Sequence, residues 1–229
     1  MDAPRGTCTS FTLLELGLLP IGHEISKRKF NFLHHILNLP ADDPVRIAYN
    51  DQKLYTNEPN WYNDICSLAK EYEVDLNEEA IQNMSKEKWK ELTISAIHKT
   101  VLRSLYTDCV NKSKTANVPP YLCLSQQDYF QYLSPKRARM FFQLRAGVYD
   151  FKCNRSYMYN DDVCRLCGNG KEDADHIINQ CNEINRDTVS YVDMFNLTES
   201  EVGKVLDRVE QFQSCLHKKN QETKVLECK

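Results

Sequence analysis

The sequence has 229 residues, a formal net charge of -3 and 41% hydrophobic residues. This hydrophobic content is enough to build a folded core, which excludes a disordered tail, and the negative charge excludes attraction of nucleic acid to the whole surface. The longest apolar run, FTLLELGLLPIG, carries Glu15 and is too short to cross a bilayer, because a spanning helix needs about 20 apolar residues.

The first part of the chain predicts a series of amphipathic helices. Segment 25–38 places Ile25, Phe32, Ile36 and Leu39 near one face, and further helices are expected through Tyr49 and over PNWYNDICSLAKEYEV. Asn77 and Ser85 are predicted N-caps, and Ser85 precedes a long helix with apolar positions at helical intervals: Trp89, Ile97, Val101 and Leu105.

The second part begins after a polar, proline-containing stretch, KSKTANVPPYLCLS, which is the best linker candidate. Ser125 with Asp128 resembles a capping box, and Ser134–Pro135 is typical of an N-cap followed by proline at the first helical position. The helix that Pro135 starts, PKRARMFFQLRAGV, is the most basic stretch of the chain, and Phe141, Leu144 and Val148 are its expected core residues. Thr198 and Glu201 predict another capping box, at the start of a terminal helix through Val205, Val209 and Phe212.

These elements predict a mainly α protein, a helical bundle with a small CCHC zinc knuckle near the C-terminus. Four segments are expected: a helical domain over 1–115, a basic helical segment over 125–158, the knuckle over 159–185 and a helical tail over 186–229.

A metal site is predicted by Cys164, Cys167, His176 and Cys181, which follow the spacing CX2CX8HX4C. Structural zinc prefers four sulfur or nitrogen ligands, and a CX2C turn lets two thiolates converge on one ion. Gly168 and Gly170 can take positive φ in the intervening turn, and Asp173 or Asp175 can cap a short helix that carries His176. Three thiolates and one imidazole leave no open position for water, so the expected cofactor is one structural Zn²⁺.

The spacing of the last two ligands adds a constraint. His176 and Cys181 are five residues apart, and an ideal helix would place them about 140° apart around its axis. Both can bind one ion only if the helix loosens by its last residue, so Cys181 is expected at a helix end.

Tyr159–Asp162 form the pattern Y-x-D-D, with which reverse transcriptases hold catalytic metal ions. Such a centre needs a hairpin between buried strands and another carboxylate from a separate strand. Cys164 follows Asp162 by two residues, and no second carboxylate lies in a strand-like run. These residues are therefore interpreted as a polar approach to the metal loop, and no polymerase or nuclease centre is predicted.

A family resemblance extends over much of the chain. CRLCGNGKEDADHIINQC, together with the preceding FFQLRAGVYDFKCNRSYMYNDD, resembles the C-terminal region of reverse-transcriptase polyproteins from non-long-terminal-repeat retrotransposons. LGLLPIGHEISKRKFNFLHHILNLP and the tail YVDMFNLTESEVGKVLDRV are similar to other segments of that region. The resemblance implies binding of template or target site in support of reverse transcription. The polymerase fingers and palm have no counterpart in this sequence.

The segment before the knuckle is the predicted contact with nucleic acid. Its cations could bind phosphates, and Tyr149, Phe151, Tyr157 or Tyr159 could stack on unpaired bases. The predicted phosphate contacts are Lys136, Arg137, Arg139, Arg145, Lys152 and Arg155. The acids around the metal ligands, with Glu172 among them, make the knuckle itself a poor phosphate site.

The leading hypothesis is a non-catalytic accessory module that binds RNA or DNA, derived from a retrotransposon reverse transcriptase and stabilised by zinc. The alternative is a protein-interaction or scaffold module with a purely structural knuckle. Ten cysteines and several N-x-S/T sequons are compatible with secretion. However, most cysteines are scattered singly, and MDAPRG lacks the basic character of a signal peptide. An intracellular location, nuclear or cytoplasmic, without membrane attachment is therefore expected.

Overall fold

The computed structural model describes residues 6–55, 58–119, 124–184 and 193–227, with side chains up to residue 222. These residues are mainly helical, which confirms the predicted class. Two short turns lie between α8 and α9, a 3-10 turn at Lys152–Arg155 and a π-helical turn at His176–Gln180. The α-helices are α1 (Thr9–Leu16), α2 (Ile21–Leu37), α3 (Pro44–Gln52), α4 (Trp61–Tyr72), α5 (Glu78–Gln82), α6 (Lys86–Val110), α7 (Tyr129–Tyr132), α8 (Pro135–Arg145) and α9 (Glu199–Glu227).

Most of the predicted helix starts are confirmed. The side chains of Asn77 and Ser85 each accept the backbone N–H three residues later, at 3.0 and 3.2 Å. Thr198 and Glu201 form the reciprocal bonds of a capping box at the start of α9.

The predicted start at Ser125 is wrong, because α7 begins at Tyr129. Ser134 does precede Pro135 at the first position of α8, as predicted, although its hydroxyl makes no capping hydrogen bond.

The chain divides into two compact units. Unit 2 is Gly17–Thr107, and unit 1 consists of the described parts of Met1–Leu16 and Asp108–Lys229. The boundary therefore lies within α6, and α1 belongs to the same unit as the C-terminal half. The predicted segment 1–115 combined residues of both units.

Unit 2 is built around one face of α2. Phe30, Leu33 and Leu37 are buried on this face, and the indole N–H of Trp89 donates to the carbonyl of Phe30 at 2.8 Å. The face predicted from the sequence is wrong in part, since Ile25 and Phe32 are about half exposed. The long-helix prediction is confirmed: the apolar positions expected to be buried along α6 are all buried, namely Trp89, Ile97, Val101 and Leu105.

Unit 1 has a core formed by α1, α8 and α9. The rings of Phe11 and Phe142 lie 5.8 Å apart between α1 and α8. The core residues predicted around α8 and on α9 are all buried: Phe141, Leu144, Val148, Val205, Val209 and Phe212. In the part of the chain that the structure describes, no helix combines the length and apolar character that crossing a membrane requires.

Candidate metal centre

The four predicted metal ligands lie together in unit 1. The ligand atoms of Cys164, Cys167, His176 and Cys181 are all within 4.8 Å of one another. The sulfurs of Cys164 and Cys181 are 4.0 Å apart, and the sulfur of Cys167 lies 3.3 Å from Nε2 of His176. In a tetrahedral site with bonds of about 2.0–2.3 Å, neighbouring ligand atoms are separated by roughly 3.5–3.8 Å. The group therefore has the dimensions needed to hold one metal ion.

A π-helical turn solves the spacing problem between the last two ligands. The backbone N–H of Cys181 donates to the carbonyl of His176, five residues earlier, at 2.7 Å. This wider turn brings residues five apart to the same side of the axis, where an α-helix would separate them. Cys181 follows the last residue of the turn in an extended conformation, which confirms its expected position at a helix end. The carboxylate of Asp173 accepts the N–H of His176 at 2.9 Å, as predicted for a cap.

The first two ligands lie in a small hairpin loop. Cys164 donates its N–H to the carbonyl of Gly170, and Gly168 donates to the carbonyl of Cys164, both at 3.0 Å. Gly168 and Gly170 have φ values of +68° and +70°, as predicted. Gly170 is also close to the imidazole of His176, because a Cβ atom on this glycine would lie 2.8 Å from Nδ1. Since Nδ1 faces the glycine, Nε2 is the nitrogen that points at the other ligands.

The four candidate ligands differ in exposure, and burial changes the pKa of the two buried thiols. Cys164, His176 and Cys181 are buried, and Cys167 is partly exposed. Burial raises the pKa of the Cys181 thiol to about 12, and the neighbouring sulfurs of Cys164 and Cys167 contribute to the increase. A metal ion reverses this preference, because a coordinated thiol is deprotonated.

A buried ion pair between Glu172 and Arg165 stabilises the loop over residues 163–171, which carries Cys164 and Cys167 and is termed the metal loop. Glu172 is 0% exposed, and the Nε–H group of Arg165 donates hydrogen bonds to its two carboxylate oxygens, at 2.9 Å to Oε1 and 3.0 Å to Oε2. The same carboxylate accepts the backbone N–H groups of Lys152 and Arg165 at 3.0 and 2.8 Å. Glu172 therefore holds the loop together and contributes no charge to the surface, contrary to the sequence-based interpretation of an acidic knuckle.

The terminal helix α9 holds the metal loop in place. A buried arginine, Arg208, donates a hydrogen bond to the carbonyl of Ile178 in the π-helical turn. Lys219 donates to the carbonyls of Arg165 and Leu166 at 2.9 and 3.1 Å, and Phe212 lies under the Arg165 guanidinium. No sequence pattern predicts the roles of Arg208 and Lys219, because they are 30 or more positions away from their partners.

The Y-x-D-D residues form the approach to this loop. Asp161 is exposed, accepts the backbone N–H of Val163 at 3.0 Å and pairs with Lys152 at 2.7 Å. Asp162 uses its backbone carbonyl to accept the N–H of Glu172 at 2.7 Å. Tyr159–Asp162 do not form a β-strand. Among the described residues from 159 to 184, the only β-pairing is a single bridge between Val163 and Lys171.

The six predicted phosphate contacts have different surroundings. Arg145 is buried and pairs with Glu15 at 2.8 Å, so its guanidinium belongs to the core of unit 1. Three others face acids: Arg137 pairs with Asp207 and Glu210 of α9, Lys152 with Asp161, and Arg155 with Asp150. Lys136 and Arg139 are exposed on the first turns of α8.

The aromatic residues expected to stack on bases are also divided. Tyr149 and Phe151 are buried, and Phe151 packs against Phe212 with ring centroids 5.8 Å apart. The prediction that these two are available for stacking is therefore wrong. Tyr157 is 75% exposed, and its hydroxyl accepts a hydrogen bond from Arg155 at 2.8 Å.

We predict that Gly170→Ala weakens metal binding at least tenfold more than Gly168→Ala. Both changes force a residue with a Cβ into the left-handed region, which costs about 1–2 kcal/mol. Only at Gly170 does the new methyl group also collide with the His176 imidazole, whereas nothing lies within 4 Å of the position at Gly168. Competition against a chromophoric chelator measures both affinities, and equal losses would contradict the assigned contact.

Comparison of the chain with known protein families finds no matching family model. No similar curated protein and no similar solved structure is found either.

Proposed function

We propose that this chain is a non-catalytic accessory module in which one structural zinc ion closes a CCHC knuckle and unit 1 binds RNA or DNA. The observation that carries the proposal is the closed group of three thiols and one imidazole, with all ligand atoms within 4.8 Å. Sulfur and nitrogen ligands in a tetrahedral arrangement favour zinc, and four protein ligands leave no position for a reactive water. The metal in this proposal therefore stabilises the fold and takes no part in catalysis.

The proposed origin is the C-terminal region of a non-long-terminal-repeat retrotransposon polyprotein. It is supported by the sequence resemblance described above, including the CX2CX8HX4C spacing next to a basic helix. Within this proposal the chain acts beside a polymerase and contains no polymerase centre of its own. An intracellular site of action follows from the same origin.

The proposed phosphate contact is the exposed start of α8, which we term the α8 patch and define as Lys136 and Arg139. Both side chains line a groove of about 660 Å³ with Phe130, Leu133 and Pro135. The first turn of α8 contains no acidic residue, and a helix N-terminus attracts anions. Arg155 and the exposed ring of Tyr157 form a second candidate contact, suited to phosphate and base stacking.

We predict that the double variant Lys136→Glu/Arg139→Glu weakens nucleic-acid binding by on the order of tenfold or more at low salt. The slope of log affinity against log salt should decrease by about 1 for each lost phosphate contact. Fluorescence anisotropy with single-stranded and duplex probes over a salt series measures both quantities. Arg137 is unsuitable for this test, because Arg137→Glu would place a third carboxylate beside Asp207 and Glu210 and disturb the fold.

The matched control is Lys86→Glu/Lys88→Glu, which makes the same change in net charge at two exposed lysines of unit 2. Equal weakening by the two double variants would show that net charge and not the α8 patch governs binding. Absence of binding to both probe types by the unmodified protein would remove the nucleic-acid proposal and leave the zinc proposal standing.

A protein-interaction module is the second candidate, because unit 2 exposes apolar side chains. Ile21 is 78% exposed and Ile25 48% exposed on successive turns of α2. Exposed apolar groups that lie together are typical of binding surfaces. Recovery of the same defined protein partner by the unmodified chain and by the Lys136→Glu/Arg139→Glu variant would favour this function.

A further inference from the structure

Two cysteines outside the metal centre meet in the core of unit 1. Cys8 immediately precedes α1, and Cys109 lies in the last turn of α6. Both are buried, with exposed fractions of 7% and 0%, and their sulfurs are 3.9 Å apart. A disulfide bond is about 2 Å long, so each sulfur has to move by only roughly 1 Å for a bond to form.

One hydrogen bond joins the two cysteine-bearing segments, and a local hydrogen bond holds the backbone at each cysteine. The hydroxyl of Ser10 donates to the carboxylate of Asp108. The hydroxyl of Thr115 donates to the carbonyl of Cys109 at 2.8 Å, and that of Thr12 to the carbonyl of Cys8 at 3.1 Å. The two sulfurs are therefore brought together by tertiary structure between segments that are 101 residues apart in the sequence.

The two thiols are chemically unequal. The ammonium of Lys112 lies 3.6 Å from the sulfur of Cys8 and 2.8 Å from the carboxylate of Asp108, which shares its charge. Burial opposes ionisation of Cys8, but the backbone N–H of Phe11, Cys109 and Lys112 together hold the pKa of Cys8 below its ordinary value. Burial and the nearby Cys8 raise the pKa of Cys109 to about 12. Because the thiolate is the reactive form, Cys8 is the nucleophile of the pair.

We propose that Cys8 and Cys109 are a redox-active dithiol that closes to a disulfide when a small peroxide oxidises the protein. The Cys8 sulfur attacks one peroxide oxygen and the O–O bond breaks, which leaves a sulfenic acid on Cys8 and releases hydroxide. The Cys109 sulfur then attacks the Cys8 sulfur, the S–O bond breaks, and the departing hydroxide takes the Cys109 proton as water. Overall the two thiols lose two electrons, and hydrogen peroxide is reduced to two molecules of water.

The disulfide would tie the start of α1 to the end of α6. Closing a loop of about 100 residues restricts the unfolded chain more than a short loop does. Oxidation should therefore raise the thermal midpoint of unit 1, by roughly 10 °C. Reduction by dithiothreitol should return the midpoint to its original value.

The experiment treats the full zinc-loaded chain with stoichiometric hydrogen peroxide, blocks free thiols and maps the cysteines by mass spectrometry. The expected product is a Cys8–Cys109 peptide pair, formed with zinc still bound and lost on reduction. Cys109→Ser should leave a sulfenic acid on Cys8 that dimedone traps, whereas Cys8→Ser should leave Cys109 unmodified. Cys215→Ser is the control, because the half-buried Cys215 lies on α9 and belongs neither to the metal ligands nor to the Cys8–Cys109 pair. The Cys215→Ser variant should still form the Cys8–Cys109 disulfide.

Other products would overturn the proposal. Oxidation of Cys66, Cys215 or the metal ligands while Cys8 and Cys109 stay reduced would show that the pair is inert. A disulfide from Cys8 to another cysteine would show that Cys109 is not its partner. If the serine variants fail to fold, alkylation rates in the unmodified protein decide instead. Cys8 must then react faster than Cys109, and equal rates would contradict the assigned nucleophile.

Discussion

Removal of the metal, by a chelator or by Cys181→Ser, is expected to unfold the C-terminal part of unit 1. Binding of structural zinc to small domains is worth about 10–16 kcal/mol, comparable with the total stability of a domain. In the π-helical turn, the backbone N–H of Cys181 bonds to the carbonyl of His176, and the turn, with Ile177 and Ile178 buried, contacts α9. Without the ion, three thiols, two of them buried, and a buried imidazole lose their common partner. The contacts of α9 with Ile178, Arg165 and Leu166 should then be lost together with the loop.

The position of the tryptophans makes this outcome measurable unit by unit. Trp61 and Trp89 are the two tryptophans of the chain, and both lie in unit 2. Loss of zinc should lower the far-ultraviolet helical signal while tryptophan emission keeps its native wavelength. The part of unit 1 that stays folded loses its support from the metal loop, and a loss of roughly 5 kcal/mol there should lower the thermal midpoint of the remaining helical signal by about 10–20 °C.

Metal analysis and matched variants complete this test. One zinc per chain is expected, and substitution by cobalt should give the visible absorption of a tetrahedral thiolate site. Cys215→Ser also removes a thiol and should retain both the metal and the midpoint, because Cys215 is not a member of the metal group. A purified chain without metal, or a chelated chain with an unchanged midpoint, would contradict the zinc proposal.

The cluster of three cysteines and one histidine was predictable because its spacing is local. All four ligands lie between Cys164 and Cys181, the glycines mark the turn, and the spacing of His176 and Cys181 already required a departure from an α-helix. The type of departure, an i to i+5 hydrogen bond, was not predictable, since it depends on the packing of the turn against α9. Helix caps such as Asn77 and Thr198 were predictable for the same local reason.

The roles of the charged residues could not be predicted in this way. The local charge around α8 indicated a phosphate-binding helix, but Arg137 meets acids 70 and 73 residues later, and Arg145 meets Glu15, 130 residues earlier. Partners at such distances leave no periodic or spacing pattern in a single sequence. Similarly, Ile25 and Phe32 have helical spacing, yet α2 turns the face containing Phe30 and Leu33 to the core, because that face meets Trp89.

Replacement of Glu15 by leucine is expected to destabilise unit 1 by about 3–5 kcal/mol. Glu15 is fully buried and accepts hydrogen bonds from Arg145 at 2.8 Å and from the hydroxyl of Tyr129 at 2.7 Å. Leucine keeps most of the volume, so the cost comes mainly from leaving the Arg145 guanidinium buried without its carboxylate. The thermal midpoint of the helical signal should decrease by roughly 6–20 °C.

The pKa of Glu15 gives this prediction a further, independent readout. Burial raises the pKa of this carboxyl above its ordinary value, even though Arg145 and Tyr129 act in the opposite direction. The folded state therefore binds the proton more tightly than the unfolded state, and the stability contributed by this group is lost as the pH rises through the folded pKa. Glu15→Gln keeps one acceptor oxygen, for Arg145 or for Tyr129, and places an amide NH2 group at the other oxygen position. It should therefore cost less than Glu15→Leu and remove this part of the pH dependence.

A double-mutant cycle with Arg145→Met separates the ion pair from packing. Glu15→Leu leaves the Arg145 guanidinium and the Tyr129 hydroxyl without their acceptor, and Arg145→Met leaves the Glu15 carboxylate without its cation. The double variant Glu15→Leu/Arg145→Met leaves neither charge in the core. Well-packed apolar replacements of buried ion pairs are often neutral or stabilising. The double variant should therefore be more stable than either single variant, with a coupling free energy of about 1–3 kcal/mol in urea denaturation. Additive losses would show that Arg145 and Glu15 contribute to stability independently, which would contradict the assigned ion pair.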